Sequence, residues 1–316
     1  MAVIEARGLS KAYGGKTAVV DLSFRVEPGS VTGFLGPNGS GKSTTMRLML
    51  GLDNGTGTTT FDGREFRELD EPMRQVGALL EAKPFHPTRK ARNHLRVLAA
   101  ANGIPDSRID DVLELVGLTS VSRGKPKSFS LGMGQRLGIA AALLGDPHTL
   151  ILDEPSNGLD PQGINWLRKL LRQLASEGRA IFVSSHLLSE MALLADQLVV
   201  IGRGHLITSG PVAEFVSSST RTSVIVRSPD MDRLAPLLAE RGGYVVTSPD
   251  ASYAVTGLSQ EQVGDSAHEV GARLYELMTR SATLEEAFLD ATGLSEEFVG
   301  HPRDGEPHLA PPSGQS

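Results

Sequence analysis

The sequence predicts an α/β fold: a mainly parallel sheet covered by helices, followed by a smaller α+β unit. Three observations predict it. Apolar strands alternate with helical stretches over the first two thirds of the 316 residues, the order that builds a parallel sheet. TLILDE (149–154) is apolar on both faces until its terminal acids, which suits a central parallel strand. Near residue 217 the charge balance and the rhythm of elements change together.

The elements follow in order. TAVVDLSFRVEP (17–28) alternates apolar and polar residues, as a half-buried strand does. SVTGFLG (30–36) is the next strand and runs straight into a glycine-rich loop; from Lys42 the pattern becomes helical, and Gly51 stops it. TGTTTFDGREF (56–66) reads as a hairpin turning at Asp62-Gly63, and VGALLE (76–81) as a short strand. Residues 88–117 carry apolar groups at helical spacing, and RLGIAAALL gives a further helix before TLILDE. A helix over 161–176, the buried strand AIFVSS (180–185), a short helix and the hairpin DQLVVIGRGHLITSG (196–210) complete the first unit.

The second unit reads strand TSVIVRS, helix MDRLAPLLAERG, strands YVVTS and SYAVTG, a helix opened by the Ser259/Gln262 capping box, strand ARLYELMT and closing helix ATLEEAFLDATG. The order β-α-β-β-α-β is the split-βαβ, ferredoxin-like pattern. The expected division is therefore 1–216, 217–293, and a polar, proline-rich tail over 294–316 that is expected to be disordered.

Residues 1–216 hold 24 basic and 22 acidic groups; residues 217–316 hold seven Arg, no Lys and fifteen acids. Neither part has the concentrated basic face of a nucleic-acid binder, so no nucleic-acid partner is expected. The absence of Cys excludes disulfides, zinc-thiolate sites and thiol nucleophiles. The apolar run IAAALL (139–144) falls far short of the roughly 18 residues needed to cross a membrane. MAVIEARGLSKAY lacks the basic start and apolar block of a secretion signal. A cytoplasmic location is expected, with any membrane contact made through another protein.

Gly36-Pro37-Asn38-Gly39-Ser40-Gly41-Lys42-Ser43 fits the phosphate-binding P-loop, GxxxxGK[ST], between a predicted strand and a predicted helix. The amides around Gly39, Ser40, Gly41 and Lys42 form a nest for phosphate oxygens at a helix N-terminus. Lys42 reaches the β and γ phosphates, and Ser43 holds Mg²⁺. Asp153 and Glu154 end the TLILDE strand, where the first carboxylate holds Mg²⁺ through water and the second orients or deprotonates the attacking water. His186 follows AIFVSS at what is expected to be the same sheet edge, in reach of a γ-phosphate. Taken alone, it reads more readily as a capping or packing residue.

In order, GPNGSGKST, FSLGMGQR, LILDEPSNGLDP and VSSH resemble the motifs of the nucleotide-binding subunit of ATP-binding cassette (ABC) transporters, over about residues 2–217. The resemblance implies a P-loop ATPase with a RecA-like parallel sheet, an antiparallel β subdomain and a helical subdomain. It implies ATP and Mg²⁺ as ligands, Thr44 beside the nucleotide, Tyr13 stacked on adenine, and Asp160 of SNGLD at a subunit interface. Tyr13 alone reads equally as a turn tyrosine. FSLGM occupies the place of the family's signature, usually LSGGQ, so Ser130 Oγ and the Gly132 amide are expected on the γ-phosphate of the opposite subunit's nucleotide. A homodimer closed around two ATP follows, together with a separate transmembrane permease that holds the chain on the inner face of the membrane.

Three positions, two in the signature and one near the expected metal site, depart from the family pattern. Leu131 and Met133 replace a Gly and a Gln of the signature, and Glu81 stands where a glutamine usually touches Mg²⁺. SLGM, the LLEA loop and the ATLEEAFLDATG ending resemble the drug- and antibiotic-export branch that includes bacitracin and daunorubicin exporters. KPFHPTRKARNHL (83–95), with four basic residues, is the candidate permease-docking surface and reads equally as a solvated face. A soluble ABC ATPase acting on ribosomes or nucleic acid is the alternative; it is expected to carry two cassettes or a long coiled-coil insertion, and this chain has neither.

Overall fold

The computed structural model describes residues 3–80, 85–86, 88–217, 219, 221–248 and 251–293. The chain opens with β1 (Ile4–Tyr13), β2 (Lys16–Val26) and β3 (Val31–Leu35), then helix α1 (Lys42–Met49). Next come β4 (Thr56–Phe61), β5 (Arg64–Glu65), the single turn α2 (Pro72–Gln75) and β6 (Val76–Leu79). Helices α3 (Ala91–Ala101), α4 (Ser107–Leu115) and α5 (Leu131–Leu143) lead to β7 (Thr149–Leu152). Then α6 (Pro161–Ser176), β8 (Ala180–Ser184), α7 (Leu188–Leu194), β9 (Gln197–Gly202), β10 (His205–Pro211) and α8 (Val212–Ser217) finish the first unit.

Six strands form the central sheet in the order β10-β9-β3-β8-β7-β6. All neighbours within β9-β3-β8-β7-β6 are parallel, and β10 closes one edge antiparallel. Alternate residues of each strand enter different cores, as a period of two requires. Val31, Leu35, Leu150, Leu152, Ile181 and Val183 join the helices on one side. Phe34, Ile151, Phe182, Val199 and Ile201 face the other, where they meet Met46 and Met49 of α1 and the antiparallel sheet β2-β1-β4-β5. Phe24, Phe34 and Phe182 stack at centroid distances of 4.9–5.9 Å and join the two sheets.

Strand β1 was not foreseen as an element. Its pairing with β2 shifts register between Ala6 and Leu9 and again between Leu9 and Lys11, so its buried residues lose strict alternation. The helix foreseen at RLGIAAALL begins earlier, at Leu131, and so takes in the signature segment.

The second unit contains β11 (Ser223–Arg227), α9 (Met231–Glu240), β12 (Tyr244–Thr247), β13 (Tyr253–Thr256), α10 (Gln260–Glu269) and β14 (Glu276–Arg280). Its sheet runs β12-β13-β11-β14 and is antiparallel throughout, the ferredoxin-like arrangement. Val224, Val226, Leu234, Leu238, Val255 and Val263 make a separate core. The closing helix α11 (Leu284–Thr292) returns to α7 and α8, and its Leu284 and Phe288 join the larger core of the first unit. Among the described residues, no helix is long and apolar enough to cross a membrane.

Candidate functional site

The strand order β3-β8-β7 brings three loops to one edge of the sheet. The glycine-rich loop leaves the carboxyl end of β3, Asp153 and Glu154 follow β7, and Ser185 and His186 follow β8. Ligands of open α/β sheets bind at such strand ends. Ala18, Asn38, Gly39, Gly41, Lys42, Ser43, Thr44, Asp153 and Glu154 line a cavity of about 290 Å³ there.

The loop backbone needs its glycines. Gly41 caps α1 at φ +106°, and a Cβ there would lie 2.5 Å from the Ala18 carbonyl. Gly36 packs against Ile201 and the Ser40 side chain so closely that no Cβ fits. Lys42 is buried, and its Nζ donates to the Gly36 carbonyl at 2.7 Å and the Pro37 carbonyl at 3.3 Å. Burial pulls its amine below the ordinary lysine range, while the Glu154 and Asp153 carboxylates draw it back up. The buried Ser40 Oγ has no hydrogen-bond partner. A buried cation and an unpartnered hydroxyl at a helix N-terminus fit a phosphate chain.

Asp153 is held from both sides. Ser43 Oγ donates to its Oδ2 at 2.5 Å, and Ser184 Oγ donates to its Oδ1 at 2.5 Å. A hydroxyl and a carboxylate in contact are the hard oxygen donors that suit Mg²⁺. Glu81, the third expected metal contact, lies outside the described residues.

Glu154 adopts φ +49°, a left-handed backbone that costs a residue with a Cβ roughly 1–2 kcal/mol. Three hydrogen bonds hold it there. Its N–H donates to Ser184 Oγ at 2.8 Å, and its carbonyl accepts from Gln135 Nε2 at 3.2 Å and from the Asn157 N–H at 3.1 Å. Its Oε2 sits 2.6 Å from His186 Nδ1 and accepts the His186 N–H at 3.3 Å. Strain held in place by surrounding bonds at a carboxylate is characteristic of working sites.

Sequence reasoning did not assign roles to Ser184 or Gln135. Ser184 is fully buried at the end of an otherwise apolar strand, and Gln135 is buried in a helix whose other inward residues are apolar. A polar group at a core position is the signal that points to both.

The remaining site residues lie elsewhere. Ser130 caps α5 by accepting the Met133 N–H at 3.2 Å, and Asp160 caps α6 by accepting the Gly163 N–H at 2.8 Å. Ser130, Gly132 and Asp160 do not line the cavity of their own chain. Gly132 and Leu131 pack instead on Gly158 of the SNGLD loop. Arg136 stacks over Trp166 at 4.3 Å, which ties α5 to α6, and bonds the Val116 carbonyl at the end of α4 at 2.9 Å. Tyr13, at the end of β1, bonds Asp53 at 2.7 Å.

In the candidate docking segment, Arg89 and Lys90 are exposed, Arg92 pairs with Asp110, and His94 is buried. Burial holds the His94 imidazole below the ordinary histidine range, reinforced by Arg89. Phe85 lies edge-on to His94 and touches Gly134 of α5, where a larger residue would push it away.

Known proteins resemble this chain in sequence and in fold. The ABC transporter family model matches residues 19–157, and a model for a domain of unknown function matches residues 222–285. Over 310 residues, 95% of this chain and 99% of the relative, the chain is 36% identical to the uncharacterized ABC transporter ATP-binding protein YhcH of Bacillus subtilis (strain 168). It is 43% identical over 213 residues to the bacitracin transport ATP-binding protein BcrA of Bacillus licheniformis, covering 66% of this chain and 70% of that one. A solved ATP binding subunit of an ABC transporter superposes with a TM-score of 0.62 at 28% identity, over 67% of this chain and 91% of that one. The glycine-rich loop, the paired carboxylates and near full-length similarity lead to one assignment: the chain belongs to the ABC transporter ATP-binding proteins and is an ATPase of that family.

Proposed function

We propose that two copies of this chain close around two ATP molecules and drive a separate membrane permease that exports an antibiotic or similar compound. One observation carries the dimer: Ser130 and Gly132 sit outside the phosphate cavity of their own chain. A helix N-terminus that carries a serine but no acid or base fits a lip for the partner's nucleotide. The similarity to a bacitracin transport protein supports the cargo class.

The geometry supports a route for hydrolysis. Lys42 exchanges the Gly36 and Pro37 carbonyls for β and γ phosphate oxygens. Ser43 and Asp153 would hold Mg²⁺, which would offset charge on the phosphates. Glu154 takes a proton from the attacking water as its oxygen bonds the γ-phosphorus and the bond to the bridging oxygen breaks. His186 holds the Glu154 carboxylate before ATP arrives and turns to the γ-phosphate afterwards. Closure on ATP and opening after hydrolysis supply the two states a transporter requires. The ferredoxin-like unit serves interaction, and the chain works at the cytoplasmic face of the membrane through its permease.

Affinity purification of the tagged chain from detergent-solubilised membranes tests this reading. A polytopic membrane protein that stimulates the chain's ATP hydrolysis is the expected partner. Recovery of ribosomes in place of a membrane protein overturns the proposal.

A further inference from the structure

The tyrosine at the end of β1 is attached to the phosphate-binding helix by side chains that the function above does not use. Tyr13 is half-exposed, and its hydroxyl donates to Asp53 Oδ2 at 2.7 Å. Asp53 follows α1 closely and is gripped by Arg47 from the last turn of that helix. Arg47 Nε donates to Oδ2 at 3.0 Å and a guanidinium N–H to Oδ1 at 3.3 Å. Lys11 Nζ lies 4.7 Å from the centre of the Tyr13 ring and donates to the Asn54 carbonyl at 2.5 Å. The Thr44 hydroxyl, from the first turn of α1, also interacts with the phenol.

We infer that Asp53 is a positioning residue that locks the Tyr13 ring in register with the P-loop, as a preset platform for a purine base. This inference rests on the reading of Tyr13 as the base-stacking residue. A tyrosine beside a Gly-Gly turn, with half its surface in water, otherwise exchanges among rotamers. Here its far end is tied to Asp53, and Asp53 is tied by two bonds to α1, whose first residues cradle phosphate. A planar guanidinium bound through two donors fixes the carboxylate in angle as well as distance. Lys11 lies over one face of the ring, and about half of the Tyr13 surface remains exposed. Base and phosphate sites therefore form one body, and the nucleotide meets a ring that is already ordered.

The pair Arg47 and Tyr13 holds the Asp53 carboxyl below the usual carboxylate range, and Asp53 in turn raises the Tyr13 phenol. The anchor is therefore charged and the platform neutral at physiological pH.

The test compares binding of Mg²⁺–ATP with that of Mg²⁺–tripolyphosphate, which has the phosphates and no base. It uses the full chain and the variants Asp53→Ala, Tyr13→Phe and Tyr13→Ala. Tyr13→Phe keeps the ring and the Arg47–Asp53 pair and removes only the tether, so it is informative even if Asp53→Ala folds poorly. Asp53→Ala and Tyr13→Phe are expected to weaken ATP about three- to tenfold, with KM for ATP rising in step, and to leave tripolyphosphate unchanged. Equal losses for both ligands would make Asp53 a support of the P-loop helix and overturn the inference. An unchanged ATP-to-tripolyphosphate ratio in Asp53→Ala and Tyr13→Phe, with a drop in Tyr13→Ala, overturns the inference but keeps the platform. No change in Tyr13→Ala removes the platform itself.

Discussion

Leu131 rests on the α-carbon of Gly158, and Gly132 beside it rests on the Gly158 carbonyl. Gly158 stands at φ +76°, and a Cβ there would collide with the Leu131 side chain. The family's signature usually has glycine at the position of Leu131. Here the larger residue fills the space above the SNGLD loop, so the serine-bearing lip and the loop that carries Asp160 are fitted together within one chain.

That fit predicts a coupled pair. Gly158→Ala is expected to destabilise the chain by about 1–3 kcal/mol, through the left-handed backbone and the collision together. Adding Leu131→Gly removes the collision but not the backbone strain, so the double variant recovers part of the loss. Thermal unfolding and ATPase rates of the four proteins in this cycle check it; strictly additive losses contradict the contact.

Glu154→Gln keeps the shape of the side chain and removes its ability to take a proton. ATP binding is expected to persist while turnover falls about 10²–10⁴-fold. Equilibrium nucleotide binding and steady-state hydrolysis measured on one preparation separate the two effects. Wild-type turnover by this variant removes Glu154 from the reaction.

Gln135 acts one step back, through the backbone of Glu154. Its Nε2 reaches the Glu154 carbonyl from α5, and Glu154 holds a strained φ. Gln135→Leu is expected to lower kcat about tenfold and leave KM for ATP within about twofold, since the phosphate nest is untouched. A rise in KM with kcat preserved would contradict a role in placing the carboxylate.

These residues also show where sequence reading reaches and where it stops. The P-loop, the Asp153–Glu154 pair and the apolar strands are local patterns of residue type and spacing, so they are visible along the chain. Gln135 and Ser184 act through contacts 19 and 30 residues away in sequence, which no local window contains. Strand β1 was hidden because its bulges break the alternation that marks a strand. The start of α5 was hidden by Gly132 and Gly134, poor helix formers retained where neighbours press close: Gly158 on the first and Phe85 on the second. The βαββαβ order of the second unit was legible because its elements are short and separated by turn residues, and a capping box at Ser259 marks the start of α10.

The second unit carries a pH-dependent tie. Arg273 holds the Asp230 carboxyl at a pKa of about 2, first through its side chain and then through its backbone N–H. A depressed folded pKa gives stability that is present above the unfolded value, near 3.9, and is lost as pH falls through the folded one. Asp230→Asn is therefore expected to unfold more easily than wild type at neutral pH. That difference shrinks from about pH 4 downward and vanishes only below about pH 2. Unfolding midpoints of both proteins across this range check it; a constant difference contradicts the linkage.

The composite nucleotide site is tested most directly by the ATPase rate per chain as a function of protein concentration, with the association state measured in the same samples. The rate per chain is expected to rise with concentration and level off as dimers fill. A rate per chain that stays constant down to concentrations where only single chains are present would contradict a site completed by Ser130 of a second copy.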